Sequence, residues 1–566
     1  MCGFFGIINS KTKINLSAPW NAVSWRGNVH GGWHANNCAI LASRLPRSGD
    51  RKRPQPVVVN NNNVFSLNGE IYNIDELKCM ALKANISFAS DLSDAEALGL
   101  IIAYSVDRNE VIKKIRGEFA LAFYDNELCE LILSRDLMGT KPLYWAESQG
   151  SISFGSSAKA VSLTKRSALN PDWLKIQNIF EFGVTPSANI FQDIESIAAG
   201  EIKTFKFSKQ IFTSYSVVNK PFQGGSIFND LNRAVSSRYK HGKTALAFSG
   251  GVDSSLIRQL KPEMPCYTLL LKEKKLLHKQ RGVLVTQVNL LASLEKMWSF
   301  IDRPFSTLSP VAMCVLTEEM NKDGIENMLT GEGADELFGG YPHLFQNMTG
   351  HPILSHHKLN FDIASRLLKL HLTMESPFFQ SLLNTRTSSD WLIYDRWIRL
   401  PQHLTLLHTD CPSLINRIEA RLPFLDIVHH GIIDPQQLKI PKKPLRDMLN
   451  AYPFDLNETI PLKEGLFIPC GIFRDELLLE ICDQNFDNLY PYIPFDFRKT
   501  CEKTLNKIAA MPDSAKDTLR ELVARTIIQV STIPHLLWKQ KQESEVPNRY
   551  ISLGMNSTPT ICTSIT

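Results

Sequence analysis

Over about the first 200 residues, short apolar runs alternate with polar turns. One pair of runs, Val57–Val59 and Val64–Leu67, flanks the polar turn Asn60–Asn63. Further pairs with the same layout are Ala120–Tyr124 with Leu131–Ser134, and Leu143–Trp145 with Ser151–Gly155. Short strands joined by polar turns are typical of antiparallel sheet, which we therefore predict for this part of the chain.

From about Gly200 to Gly225 this pattern weakens, which predicts a connection, and a different pattern follows. Apolar segments of strand length now alternate with helical ones. The predicted strands are Thr244–Phe248, Cys266–Leu271, Gly282–Asn289 and Glu326–Leu329. This alternation predicts a parallel, doubly wound sheet that binds ligands at the carboxyl ends of its strands. Farther on, the pattern predicts helices at Cys501–Met511 and Lys516–Val530.

Composition narrows the functional classes. The chain has 566 residues, 43% apolar and 21% charged, which is ordinary for a globular protein with two or more cores. The net charge of +5 forms no basic stripe, so nucleic acid is not an expected partner. We expect no membrane span and no secretory signal. Eleven cysteines, without CxxC or a metal-spaced His/Cys cluster, indicate reduced thiols and a cytoplasmic location.

The segment Thr244–Ser255, reading TALAFSGGVDSS, is the strongest candidate for a phosphate site. Its predicted strand breaks at Ser249-Gly250-Gly251 and leads into a predicted helix, Leu256–Leu260. The tight turn, the hydroxyl groups and the helix N-terminus suit an anion of phosphate size. Asp253 would repel a bare phosphate, so it indicates an intervening cation such as Mg²⁺. The alternative is a glycine-rich turn that only joins a strand to a helix.

A second polar segment, Thr330–Tyr341 (TGEGADELFGGY), follows another predicted strand. It contains Glu332, Asp335 and Glu336, whose mutual repulsion is costly unless a cation or a basic substrate lies among them. The alternative is an acidic surface turn before a helix.

Cys2 directly follows the initiator methionine, whose removal would make the cysteine N-terminal. An N-terminal cysteine combines a thiol nucleophile with an α-amine of pKa about 8, which can accept the thiol proton. The alternative is a buried strand cysteine, because Phe4, Phe5, Ile7 and Ile8 continue an apolar run.

Downstream residues suit an α-amino-acid substrate. The Asn68 amide and the Gly69 N–H are adjacent and can form an oxyanion hole, in which each donor contributes roughly 10²–10³ in rate. Arg44 can bind a carboxylate, and Asp94 can bind an ammonium group.

The N-terminal part of the chain carries, in this order, the motifs MCGFFGI, Arg26-Gly27, Arg44-Leu45, Gln55-Pro56, NGEIYN, SDAE and SRDLMGTKPLYW. These motifs and their order resemble those of the class II glutamine amidotransferases. The resemblance implies an α+β N-terminal-nucleophile hydrolase sandwich, with stacked antiparallel sheets between helices. It implies that Cys2 attacks the side-chain amide of glutamine, while Asn68 and Gly69 stabilise the oxyanion. The residues implied to hold glutamine are Arg44, Asn68, Glu70 and Asp94.

Basic residues recur later, at Lys442-Lys443-Pro444-Leu445-Arg446 and at Pro461-Leu462-Lys463-Glu464. These cations could reach a triphosphate, but spacing alone does not distinguish Lys463 from a surface lysine.

The C-terminal part of the chain carries, in this order, the motifs SGGVDSS, TGEGADELFGGY, EARLPFLD, KKPLR and PLKEGLF. These motifs and their order resemble those of the glutamine-hydrolysing asparagine synthetases. The resemblance implies an α/β ATP-pyrophosphatase domain with a parallel sheet and a helical C-terminal part. It implies that Asp253 and Asp335 bind Mg²⁺, that Glu332 is an acid/base, and that Lys463 stabilises transition-state charge. The residues implied to bind ATP are Leu246, Ser249, Gly250, Gly251, Asp253, Ser254, Ser255, Thr330 and Gly331.

The two resemblances imply a glutaminase domain at 1–205, an ATP-pyrophosphatase domain at 225–545 and a polar tail at 546–566. The expected enzyme is a glutamine-dependent amide ligase of the asparagine synthase (glutamine-hydrolysing) type, with ATP and Mg²⁺. Ammonia from glutamine would pass to aspartate activated as an acyl-adenylate, giving asparagine, AMP and pyrophosphate. The expected partners are these small molecules, and a homodimer is compatible with the sequence.

Two alternatives stay open. The same chemistry could act on another carboxylic acid in a biosynthetic pathway, because acceptor-reading residues fall partly in the divergent segment 272–300. The chain could instead be an inactive or regulatory binding protein that keeps the fold. The shortened stretch between the two ATP motifs favours this second alternative. The intact set of Cys2, Asp253, Glu332, Asp335 and Lys463 argues against it.

Overall fold

The computed structural model describes residues 2–10, 16–35, 37–47, 51–60, 62–83, 92–164, 171–185, 187–207, 211–216, 225–271, 279–305, 307–341, 344–345, 363–364, 366–367, 387–432, 434–435, 438, 440–451, 470–489, 496–511 and 513–538. These residues fall into two compact units. The first lies within 1–170 and 191–225, and the second lies within 171–190 and 226–539.

The first unit contains two six-stranded antiparallel sheets. Its strands are β1 (Cys2–Ile8), β2 (Val29–Ala35), β3 (Cys38–Arg44), β4 (Val57–Val59), β5 (Asn63–Ile71), β6 (Gly117–Asp125), β7 (Glu130–Arg135), β8 (Tyr144–Ser148), β9 (Ser151–Gly155), β10 (Glu195–Ser196), β11 (Glu201–Lys206) and β12 (Ile211–Ser216). One sheet has the order β10-β8-β9-β1-β3-β2, and the other has the order β12-β11-β7-β6-β5-β4. The three predicted hairpins are confirmed as β4–β5, β6–β7 and β8–β9.

Helices cover the outer faces of both sheets: α1 (Ser17–Ser24), α2 (Ile74–Lys83), α3 (Asp94–Tyr104), α4 (Arg108–Lys113) and α5 (Ala158–Ser162). Side chains of a strand alternate between faces. Phe4 of β1 packs in one core with Val64 of β5, whereas Phe5 packs with Val23 of α1. Phe65 of β5 points to the core that includes α2 and α3. The predicted sandwich of stacked sheets between helices is confirmed.

The segment from about Gly200 to Gly225 was expected to be a connection, but it contributes the strands β11 and β12. The β11 strand is buried on both faces: Ile202 belongs to the core beneath the helices and Phe205 belongs to the core between the sheets. Because these two apolar side chains serve different cores, the segment shows no simple alternation of apolar and polar residues.

The second unit is built on a five-stranded sheet whose pairings are all parallel. Its strands are β13 (Thr244–Ala247), β14 (Cys266–Leu270), β15 (Gln280–Leu284), β16 (Asn327–Leu329) and β17 (Glu419–Arg421). The strand order is β15-β14-β13-β16-β17. Strands β14 and β15 therefore follow on one side of β13, whereas β16 and β17 follow on its other side. The gap between β13 and β16 is the topological switch point of a doubly wound sheet, where such sheets bind ligands. The predicted parallel sheet is confirmed.

Two details of this sheet differ from the prediction. The predicted strand Gly282–Asn289 ends early at Leu284, because Thr286 caps the next helix by accepting a hydrogen bond from the Asn289 N–H at 3.2 Å. The strand β17 was not predicted. Two of its three residues are charged, and they satisfy each other through a buried Arg421–Glu419 pair at 2.9 Å.

The helices of the second unit are α6 (Trp173–Phe182), α7 (Ile227–Arg238), α8 (Val252–Leu260), α9 (Gln287–Trp298), α10 (Ser309–Lys322), α11 (Ala334–Phe338), α12 (Ser388–Tyr394), α13 (Cys411–Ile415), α14 (Lys443–Ala451), α15 (Asp475–Leu489), α16 (Phe497–Ala509) and α17 (Asp513–Trp538). A π-helical segment spans Asp395–Asp410, and 3₁₀ segments span Pro423–His430 and Cys470–Ile472. The predicted helical C-terminal part is confirmed in α15 to α17. None of the described helices is long and apolar enough to cross a bilayer. No disulfide joins the cysteines in the described ranges.

Candidate active sites

The first candidate site lies where β1 and β5 face each other across the two sheets. Cys2 shares its face of β1 with Phe4, and Asn68 shares its face of β5 with Val64, so the two side chains point into the same space. The Cys2 backbone nitrogen donates a hydrogen bond to Asn68 Oδ1 at 3.0 Å. Cys2 is only 5% exposed. The predicted nucleophile and one predicted oxyanion donor are therefore adjacent.

The second polar atom of the Asn68 amide is a donor that the described residues leave unsatisfied. Asn68 Nδ2 is buried and has no hydrogen-bond partner among the described residues. A buried donor without a partner is costly and rare in folded proteins. Because Oδ1 is held by the Cys2 nitrogen, the amide orientation is fixed and Nδ2 is available to an incoming oxygen atom.

Gly69 follows Asn68 at a position that only glycine fits. Its φ of +138° disfavours other residues, and an added Cβ would overlap the Glu118 carbonyl oxygen of β6. Substitution here would strain the strand that carries Asn68.

Two residues near Cys2 had no role in the sequence reasoning. Gln55 Nε2 lies 3.6 Å from Cys2 Sγ, and Gln55 Oε1 accepts a hydrogen bond from the Leu67 N–H at 2.7 Å. Arg26 Nε donates to the Cys2 carbonyl oxygen at 3.1 Å. Both residues belong to motifs that the chain shares with the class II glutamine amidotransferases. That shared position is the sequence signal that indicates a role for them near Cys2.

The residues predicted to hold glutamine surround the same strand ends. Arg44 pairs directly with Cys2 in the β1–β3 register, and its Nη1 donates to the Arg53 carbonyl oxygen at 2.6 Å. Glu70 comes directly after Gly69 in β5 and is 7% exposed. Asp94 begins α3, and its Oδ2 accepts a hydrogen bond from the Ile71 N–H at the end of β5 at 3.4 Å.

The second candidate site lies at the switch point of the parallel sheet. The SGGVDSS turn leaves β13 and enters α8, while TGEGADE leaves the neighbouring strand β16. Leu246 of β13 is paired with Leu329 of β16, so the two turns begin side by side. Gly250 has a φ of +79°, and Ser249 Oγ accepts a hydrogen bond from the Gly251 N–H at 3.3 Å. The predicted ATP-binding residues of both motifs thus lie at one edge of the sheet.

The two predicted metal ligands, Asp253 and Asp335, both contact the side chain of Lys442. Lys442 Nζ lies 2.5 Å from Asp253 Oδ2 and 2.7 Å from Asp335 Oδ1. The three side chains are only 5%, 11% and 8% exposed for Lys442, Asp253 and Asp335 respectively. Lys442 belongs to the KKPLR motif, whose cations were expected to reach a triphosphate, but its partners could not be read from the sequence.

Glycines allow the backbone to pack tightly around these charges. A Cβ on Gly331 would lie 2.8 Å from Asp253 Cβ, and a Cβ on Gly340 would overlap Asp335 Oδ1. Gly331 therefore lets the turn after β16 approach the turn after β13, and Gly340 leaves space for the Asp335 carboxylate and the Lys442 side chain.

The donor set fits a magnesium ion. Two carboxylates of separate turns converge on one cationic centre, the Lys442 ammonium, and carboxylate oxygens are the ligands that Mg²⁺ prefers. The third carboxylate of the expected cluster, Glu332, is half-buried, and its N–H donates to Thr330 Oγ1 at 3.3 Å. Lys463 lies outside the described residues.

Glu336 does not share the cation that serves Asp335, contrary to the expectation that the three carboxylates form one group. It accepts a hydrogen bond from the Tyr341 hydroxyl, and its Oε1 lies 3.6 Å from Arg399 Nη2. Burial raises the pKa of Glu336 to about 7, against the opposing attraction of Arg399. Glu336 therefore belongs to a separate buried network behind the site.

Comparison with known proteins agrees with this arrangement. Residues 1–216 match the glutamine amidotransferase domain family, and residues 270–428 match the asparagine synthase family. A Methanocaldococcus jannaschii protein provisionally named glutamine-hydrolysing asparagine synthetase 1 is 27% identical over 520 residues, which cover 86% of this chain and 87% of that protein. Glutamine-hydrolysing asparagine synthetase 3 of Bacillus subtilis is 23% identical over 493 residues, covering 75% and 79% respectively.

Among solved structures, the Bacillus subtilis glutamine phosphoribosylpyrophosphate amidotransferase with ADP and GMP is 12% identical and covers 58% of this chain and 82% of its own. Its TM-score of 0.30 is too low to define the fold. By the family matches, residues 1–216 form a glutamine amidotransferase domain, and residues 270–428 belong to the asparagine synthase domain family. Over most of its length the chain is similar to proteins named as glutamine-hydrolysing asparagine synthetases.

Proposed function

We propose that this protein is an asparagine synthase-type ligase that moves the amide nitrogen of glutamine to aspartate, using ATP and Mg²⁺ and releasing AMP and pyrophosphate. The observation that carries the proposal is the convergence of Asp253 and Asp335 on one cationic centre at the switch point of the parallel sheet. Two buried carboxylates from separate turns at this point of the sheet are the ligands that a Mg²⁺-ATP site requires.

In the glutaminase reaction, removal of Met1 converts the Cys2 nitrogen into an α-amine. Asn68 Oδ1 holds this nitrogen, which takes the thiol proton while Sγ attacks the amide carbon of glutamine. Asn68 Nδ2 and the Gly69 N–H stabilise the oxyanion. Ammonia leaves with the proton from the α-amine, and water then hydrolyses the thioester to glutamate. Arg44, Glu70 and Asp94 hold the charged end of glutamine.

In the synthetase reaction, the SGGVDSS turn and the α8 N-terminus bind the phosphates, next to Leu246, Thr330 and Gly331. Asp253 and Asp335 would hold Mg²⁺, which when bound supplies positive charge against the leaving pyrophosphate. The acceptor carboxylate attacks the α-phosphorus and pyrophosphate leaves. Ammonia then attacks the acyl carbon, Glu332 takes its proton, and AMP leaves. Lys463 is proposed to stabilise the charge of the first step.

The proposal keeps a glutaminase domain at 1–205, an ATP-pyrophosphatase domain at 225–545 and a tail at 546–566. Its partners are small molecules, without nucleic acid or membrane, and a homodimer is compatible with it. The proposed location is the cytoplasm.

The test is pyrophosphate release from ATP with Mg²⁺ and glutamine, measured with and without aspartate. Release that depends on aspartate supports the full proposal. Glutaminase activity with pyrophosphate release that depends on another carboxylic acid, and not on aspartate, assigns the acceptor to that acid. A chain that hydrolyses glutamine but releases no pyrophosphate with any carboxylic acid is not a ligase.

A further inference from the structure

A cluster of three side chains lies outside both proposed active sites, between α7 and the 3₁₀ segment Pro423–His430. Asp230 of α7 is 3% exposed, and His429 and His430 end the 3₁₀ segment. Among the residues that the structure describes, this is the group of three potential metal ligands whose donor atoms all lie within 4.8 Å of one another.

The spacing of the donor atoms matches one small coordination sphere. Asp230 Oδ2 lies 3.3 Å from His429 Nε2 and 2.8 Å from His430 Nε2. The two imidazole rings have centroids 4.2 Å apart. Ligand atoms around a tetrahedral Zn²⁺ with bonds of about 2.0–2.1 Å are separated by roughly 3.3 Å. All three donor atoms lie within 4.8 Å of one another, so side-chain movements of roughly an ångström would place one ion among them.

The carboxylate is already oriented for this role. Arg233 Nη2 lies 2.9 Å from the other oxygen of Asp230, Oδ1, and so directs Oδ2 toward the histidines. A partner that fixes the orientation of a ligand is a regular feature of metal sites. The imidazole side chains of His429 and His430 are 13% and 14% exposed, so the cluster is in contact with solvent.

We propose that Asp230, His429 and His430 bind one divalent transition-metal ion, with Zn²⁺ as the best match. Two imidazoles and one carboxylate suit Zn²⁺ or its probe Co²⁺, whereas Mg²⁺ prefers oxygen ligands. The ion would join the helix that precedes β13 to the segment that follows β17. Its role is to stabilise the second unit, which contains the SGGVDSS turn. The proposal does not depend on the reaction proposed at that turn.

The test uses the full chain, without a histidine tag, after removal of metal by a chelator and dialysis. Co²⁺ titration followed by visible absorption is expected to show one saturable site without the charge-transfer band of thiolate ligands. The same protein is expected to melt at a higher temperature with Zn²⁺, because the ion binds only the folded site. A wild-type chain that binds no Co²⁺, or binds it only through thiolates, overturns the proposal.

Two variants and one control assign the site. His429→Gln with His430→Gln is expected to weaken Co²⁺ binding by at least about 100-fold, since even an outer partner costs roughly 10–100-fold. Asp230→Asn tests the third ligand with little change in shape and should lower affinity in the same direction. His241→Gln removes a histidine outside the cluster and should leave the titration unchanged. Equal affinity in the wild type and in a correctly folded Asp230→Asn or double variant overturns the proposal.

Discussion

Lys442 and Asp253 form a buried ion pair in which the lysine nitrogen lies 2.5 Å from Asp253 Oδ2, although 189 residues separate them in the chain. Because the same ammonium group also neutralises Asp335, the two turns of the phosphate site are held together by one side chain. This lysine and a bound Mg²⁺ would serve the same carboxylates, so the metal must share them with Lys442 or replace it.

Lys442→Gln should destabilise the second unit by about 3–5 kcal/mol, since it leaves two buried carboxylates without their cation. Mg²⁺ should recover part of this loss in the variant and less in the wild type. The measurement is the melting temperature with and without Mg²⁺. Lys443→Gln is the matched control, because Lys443 forms an exposed pair with Asp447 at 2.6 Å. Such a pair contributes at most about 1 kcal/mol. Equal melting of the two variants would contradict this assignment.

Cys2→Ala should abolish glutamine-driven turnover and leave turnover driven by ammonium salts, because Cys2 only releases ammonia. The assay compares pyrophosphate release with the two nitrogen sources. Cys79→Ala, at an exposed cysteine, should retain both activities. Loss of both activities in the Cys2 variant would show that the thiol is structural.

Asn68→Asp keeps an oxygen that can accept the hydrogen bond of the Cys2 nitrogen but removes the Nδ2 donor. The kcat of glutamine hydrolysis should therefore fall roughly 10²–10³-fold, while ammonium-driven turnover persists. Asn73→Asp is the control in the same NGEIYN motif. Asn73 Nδ2 donates to the Lys114 carbonyl oxygen at 2.9 Å, so its loss should reduce stability rather than kcat. If the Asn68→Asp variant hydrolyses glutamine with a normal kcat, Asn68 is not an oxyanion donor.

Glu336 should make stability depend on pH. Burial raises its pKa from 4.5 to about 7, so the folded chain retains a proton that the unfolded chain has already lost. Stability from this group is therefore full below about pH 4.5 and falls as the pH rises through 7, by on the order of 1–3 kcal/mol. Between pH 5 and pH 8.5, the melting temperature of Glu336→Gln should rise relative to that of the wild type. A difference that is constant with pH, or that shifts the other way, would contradict the raised pKa.

Local patterns predicted much of the fold. Each hairpin was visible because its strands and turn are contiguous, and the switch-point turns were visible because glycine, serine and aspartate are confined to short motifs. The strand β17 was missed because its charged residues satisfy each other, and β11 was missed because its apolar residues serve two cores.

The side-chain partners could not be predicted in the same way. Asp230 meets His430 across 200 residues, and Lys442 meets Asp253 across 189. No sequence window contains both members of such a pair. The sequence also does not show whether a given lysine is buried or exposed. Only the three-dimensional fold shows that the Glu336 carboxylate leaves the acidic cluster to which its sequence position assigns it.

Transfer of labelled nitrogen tests the central claim most directly. The full chain is incubated with ATP, Mg²⁺, aspartate and glutamine that carries ¹⁵N in its side-chain amide, and the products are followed by NMR. The account predicts ¹⁵N in the side-chain amide of asparagine, formed only with ATP and in step with AMP. Release of all the ¹⁵N as ammonia, with ATP intact for aspartate and for a panel of other carboxylic acids, would contradict it.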